Sequence, residues 1–157
     1  MKIRKKTLWK VPLFCVAAGM LAFNAAVFLL SRFAIVTLPD GTMTSDNTRT
    51  LIIYGAIFIV TLMVGGLVVF RDMTRKEIFF SASIMVVVDL TMAWMQWAFD
   101  LTTGPGVVFF VYASQRFEWH SIVPLLLFLV NKNLWLGAFV GSLTPYIFIP
   151  FGKKTQA

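Results

Sequence analysis

LIIYGAIFIVTLMVGGLVVF, residues 51–70, runs for twenty positions without a charged side chain. A helix of that length reaches about 30 Å, the thickness of a bilayer's hydrocarbon core. A turn-rich stretch, SRFAIVTLPDGTMTSDNTRT, precedes it and a charged one, RDMTRKE, follows it. Apolar interior with polar ends is the pattern of a membrane-spanning helix. The rest of the chain repeats it.

Working outward, residues 8–30 and 78–99 are predicted as further spans, and residues 134–150 as a last one, just long enough. The short charged turn at 71–77 makes the second and third helices antiparallel neighbours. Residues 106–117 and 121–130 are hydrophobic but too short to cross. Between them stands QRFEWH, which is costly at membrane depth. Residues 106–130 are therefore expected to form a short re-entrant or interfacial helical element in the outer leaflet. The expected fold is all-α: a polytopic transmembrane helical bundle with four spanning helices, in one integral membrane domain over 1–157. Five helices result if 106–130 crosses as one. Six result if both short segments and the last run cross.

Composition agrees. The chain is 59% hydrophobic and 13% charged, against about a quarter charged in soluble domains. So much apolar surface exceeds what a soluble domain of 157 residues can hide. The net charge of +7 comes from clusters flanking the hydrophobic runs. It is read as the basic excess of cytoplasmic loops, favoured by anionic headgroups, and not as a nucleic-acid surface. Lys2, Arg4, Lys5, Lys6 and Lys10 place the N-terminus in the cytoplasm, and Lys153 and Lys154 place the C-terminus there too. Residues 8–30 are too long for a signal-peptide core and are read as a retained helix, with cleavage near LAFNAA as the alternative.

Cofactor and metal sites are not expected. Cys15 is the only cysteine and His120 the only histidine, which excludes an internal disulfide, a CxxC motif and a bis-histidine haem site. No Gly-rich phosphate loop, HExxH or GxSxG motif occurs. Energy coupling would need a partner chain.

Asp89 sits near the middle of the third predicted span. An ionised carboxylate there costs at least about 2.5–3.5 kcal/mol. Asp89, Gln96 and Asp100 fall within about 40° of one another at 100° per residue, so they form one polar stripe expected to face the bundle or a cavity. Asn24 on the first helix is a candidate partner for it. These four residues are the ligand- or ion-binding candidates; the competing reading is that Asp89 only hydrogen-bonds a neighbouring helix and fixes packing. Arg116, Glu118 and His120 are secondary candidates at the outer mouth, read first as a solvated interfacial loop. Ala18, Ala22 and Ala26, with Gly137 and Gly141, recur every four residues and mark close helix packing. Gly65 and Gly66 are expected to loosen the second helix, and Pro145 to kink the last.

The functional expectation is a small, non-enzymatic membrane protein. It would be a transporter-like or accessory subunit with a polar intramembrane site on the third helix, embedded in the lipid bilayer with a membrane partner or a second copy. An intramembrane hydrolase of the aspartate type is the alternative, as is a structural or immunity protein without a ligand. The hydrolase suffers from distance, because eleven residues separate Asp89 from Asp100 by about 16 Å along a helix.

Overall fold

The computed structural model describes residues 7–98 and 139–154, apart from the side chains of Ala93, Gln96 and Trp97. Helix α1 (Lys10–Leu29) continues into a π-helical turn, Leu30–Ala34. Strands β1 (Ile35–Thr37) and β2 (Met43–Ser45) follow. Helix α2 (Asn47–Met63) continues into a π-helical segment, Val64–Val69. Helix α3 (Arg75–Ala98) comes next, and a 3₁₀ segment, Thr144–Phe151, lies near the end of the chain. The described chain is mostly helical, and two runs, Lys10–Ala34 and Asn47–Val69, are long and apolar enough to cross a membrane. α3 matches them in length but carries Arg75, Lys76, Glu77 and Asp89.

The polar stretch after α1 is not a simple loop, and here the fold departs from all-α. β1 and β2 form an antiparallel hairpin that pairs Ile35 with Ser45 and Thr37 with Met43. Its turn follows from Leu38-Pro39-Asp40-Gly41. The Gly41 N–H donates to the Leu38 carbonyl at 2.9 Å, and Gly41 takes φ +82°, which a side chain would resist. Asp40 accepts from the Thr42 hydroxyl at 2.7 Å and the Thr42 N–H at 2.9 Å. These bonds, the hydroxyl's first, hold the Asp40 carboxyl below its ordinary value. Their contribution is therefore present at neutral pH and is lost as pH falls through that lowered value.

α2 begins four residues earlier than the apolar run, because Asp46 caps it by accepting from the Thr48 and Arg49 N–H groups at 2.8 and 3.0 Å. Arg49 reaches back to the Phe33 carbonyl, tying the start of α2 to the end of α1. α3 likewise begins at Arg75, ahead of the expected residue 78. Thr74 and Glu77 form a capping box: the Thr74 N–H donates to Glu77 Oε2 at 2.9 Å, and the Glu77 N–H donates to Thr74 Oγ1 at 3.3 Å.

α1 and α3 run parallel. Thr7 meets Glu77 and Val11 meets Ser81, the same offset of seventy residues one turn apart. α2 returns antiparallel between them in sequence, so its C-terminal end lies at the start of α1. There the core collects Val11, Cys15, Phe70, Met73, Ile78, Ala82 and Phe148. The rings of Phe14, Phe70 and Phe148 meet edge to face, with centroids 4.8–5.7 Å apart. Gly65 and Gly66 make this possible. A Cβ on Gly65 would stand 2.7 Å from the Phe148 ring, and one on Gly66 would stand 2.5 Å from the Phe151 ring. The glycine pair, expected only to loosen α2, is the socket that receives aromatic rings.

The end of the chain differs from the single kinked helix expected over 134–150. Residues 139–142 are α-helical and Thr144–Phe151 is 3₁₀, with Pro145 in its first turn and Pro150 inside it. Two prolines within six positions, Pro145 and Pro150, remove donors that an α-helical ladder needs. Residues 134–138 lie outside the described chain.

Candidate functional site

The buried face of α3 carries, in order, Glu77, Ile78, Ser81, Ala82, Met85 and Val86. The lower part of this face holds the polar cluster that sequence reasoning missed. Glu77 is 4% exposed. Besides closing the capping box, its Oε1 accepts from the Thr7 hydroxyl at 3.2 Å, so one carboxylate ties the residues leading into α1 to the first turn of α3. Ser81, one turn on, is fully buried. Its hydroxyl donates to the Leu8 carbonyl at 2.6 Å and accepts from the Val11 N–H at 3.1 Å.

Those two bonds answer a specific need. α1 has no side-chain cap of its own, so its first N–H groups require partners from elsewhere. Val11 finds Ser81, Pro12 has no N–H, and Leu13 donates to the Trp9 carbonyl at 3.0 Å. The signal was present in the sequence. T-R-K-E ahead of an apolar run is a capping-box pattern, and Glu77 and Ser81 are one helical turn apart.

Asp89 lies further along the same face. At 100° per residue it stands within about 40° of Ile78, Ala82 and Met85, which are all buried. It is half-buried, whereas its neighbours Val87, Val88 and Leu90 are exposed. Extending the α1–α3 register outward sets Asp89 level with Gly19, a buried residue without a side chain. The flanking α1 positions are also small: Ala22 and Ala26 are buried and Ala18 is half-buried against the core.

The other candidates separate. Asn24 is exposed, and its amide donates to the Met20 carbonyl one turn back at 2.7 Å. It spends that donor within its own helix. The Gln96 side chain lies outside the described residues, as do Asp100, Arg116, Glu118, His120 and Gly137. Gly141 is buried and accepts through its carbonyl from Thr144 Oγ1 at 2.6 Å. Among the described residues, no three of His, Cys, Asp and Glu come together in a way that could hold a metal ion.

The chain matches no known family model, no curated protein and no solved structure.

Proposed function

We propose that the chain is a small integral membrane protein without enzymatic activity, a transporter-like or accessory subunit whose polar intramembrane site is centred on Asp89 of α3. The single observation that carries this reading is the distribution of polarity around the helices. α1 and α2 turn bulky apolar side chains outward, with Leu21 73% and Ile52 65% exposed. On α1 the buried positions beyond Cys15 are small, Gly19, Ala22 and Ala26. A chain folding in water rarely leaves so many large apolar side chains on its surface. α1 also shares its buried residues with α3 and the 3₁₀ segment, which favours a retained helix over a cleaved leader. In this reading the chain crosses four times, over 8–30, 51–70, 78–99 and 134–150, the last crossing ending in the 3₁₀ segment rather than in one continuous helix. Both termini are cytoplasmic, the hairpin is outside, and a membrane partner or second copy completes the unit.

The aspartate-hydrolase alternative is weakened by the geometry of α3. Its α-helix is unbroken to Ala98, about 14 Å beyond Asp89. No bend brings a later carboxylate back toward Asp89 within that length.

Two experiments test the reading. Reporters fused after residue 157 and within residues 42–47 should fall on opposite sides of the membrane; a same-side result removes the even number of spans. Asp89→Asn should fold with normal yield and lose the uptake or growth phenotype that distinguishes the intact gene from its deletion. Asp89→Leu should lose it as well. If Asp89→Leu folds and behaves as the parent protein does, the site on α3 has no functional role.

A further inference from the structure

The charges of the described chain are unevenly shared between its two ends. The hairpin end carries Arg32 and Arg49 against Asp40 and Asp46, which balance. The opposite end gathers Lys10, Arg71, Arg75, Lys76, Lys153 and Lys154 against Asp72 and Glu77 only. The two carboxylates leave these cations largely uncompensated. Glu77 is buried in the capping box and the bond from Thr7. Asp72 lies 3.6 Å from Lys153. Among the described residues, none of Lys10, Arg71, Arg75, Lys76 and Lys154 enters an ion pair.

Arg71, Arg75 and Lys76 are neighbours in sequence, and the fold fastens Lys153, Lys154 and the start of α1 beside them. Residue 153 is joined to the turn before α3 by two backbone bonds: Lys153 N–H to the Met73 carbonyl at 2.9 Å, and Arg75 N–H to the Lys153 carbonyl at 3.2 Å. Arg75 Nε donates to the Gly152 carbonyl, so the guanidinium is held beside the lysine pair. The start of α1 is bound to the same region through Ser81 and Glu77. Exposed aromatic rings adjoin the cations: Trp9 beside Lys10, and Phe79 and Phe80 one turn along α3 from Arg75 and Lys76. Cations next to outward-facing aromatic residues, beneath apolar helices, form the pattern that suits a headgroup layer.

We propose that this end of the molecule is a headgroup-binding surface for anionic phospholipids, formed by Lys10, Arg71, Arg75, Lys76 and Lys154 on the frame made by Glu77, Ser81 and Gly152. The inference rests on the reading that α1 and α2 cross a bilayer. Its occupant is a lipid and not a free phosphate, because the exposed rings and apolar helix faces continue directly from the cations. Phosphodiester groups in the plane of a leaflet would meet several of the cations at once.

The test uses the full chain reconstituted in vesicles, with tryptophan quenching by lipids brominated on their acyl chains. Brominated phosphatidylglycerol should quench more strongly than brominated phosphatidylcholine at equal mole fraction, giving a relative binding constant well above one. Arg71→Gln, Lys76→Gln and Lys154→Gln, all exposed and outside the frame, should together lower that preference roughly tenfold. High salt should lower it too. Equal constants for the two lipids, or a preference untouched by the triple substitution, overturn the proposal. Millimolar glycerol phosphate should leave the preference intact; if it abolishes it, the surface binds a soluble phosphate and the lipid assignment is wrong. Absence of quenching by either lipid instead refutes the membrane reading itself, so the two failures are told apart.

Discussion

Gly152→Ala, the addition of one methyl group, should loosen the end of the chain from α3. Gly152 has φ −70° and ψ 148°, which alanine adopts freely. The obstacle is steric. A Cβ there would lie 2.7 Å from the Arg75 backbone nitrogen and 2.9 Å from its Cα. A side chain can swing aside, but the backbone at the first turn of a capped helix cannot. Relief has to come from separating residue 152 from α3. That stretches the Lys153–Met73 and Arg75–Lys153 backbone bonds and disturbs the seating of Phe148 and Phe151 against Gly65 and Gly66. Overpacking of this kind costs about 1–3 kcal/mol. The expected result is a lower melting temperature in detergent, together with proteolytic release of the C-terminal residues before the rest unfolds. A variant that melts and resists protease as the parent does would show that the close approach is not a structural requirement.

Glu77→Leu should be the more damaging change, although it places an apolar residue in a buried position. Leucine leaves the Thr74 N–H without its acceptor and removes the bond from the Thr7 hydroxyl. Loss of the cap costs about 1 kcal/mol, and each buried donor left without a partner costs about 1–3 kcal/mol. A total near 3 kcal/mol or more is expected, read as reduced folding yield and melting temperature. Glu77→Gln keeps a carbonyl acceptor and should recover much of the loss. Pairing Thr7→Val with Glu77→Leu supplies the control. If the two bear on one contact, the double variant should be less destabilised than the sum of the single changes. Strict additivity would mean that Thr7 and Glu77 do not act together.

These expectations differ from those that arise from hydrophobicity alone, and the difference lies in particular residues. Asp89 attracted notice because a carboxylate inside an apolar run is expensive, and helical spacing sufficed to assign it to a face. That face is also the packed one, since Asp89 continues the line of Ile78, Ala82 and Met85. Glu77 escaped notice because RDMTRKE looks like a solvated turn. Six of its seven residues bear charge or a hydroxyl, and although the Thr74–Glu77 spacing marks a capping box, nothing local shows that its carboxylate becomes buried. Its burial depends on Thr7 and on the approach of α1, seventy positions away. Asn24 shows the opposite failure. Its height along α1 matches the outer part of α3, but its amide bonds to the preceding turn, a local solution open to any exposed asparagine.

Short-range chemistry was thus written plainly in the chain. The long apolar runs, the Pro39-Asp40-Gly41 turn, the Asp46 cap and the Thr74–Glu77 box each depend on neighbours within a few positions, so order along the sequence is enough to specify them. Tertiary structure decided what needed two distant segments in contact: the glycine socket for Phe148 and Phe151, and the capping of α1 by Ser81. The physical reason is that an unsatisfied donor or an unfilled gap shows only that a partner is required. Which distant residue supplies it depends on how the helices pack, and that is a property of the whole fold.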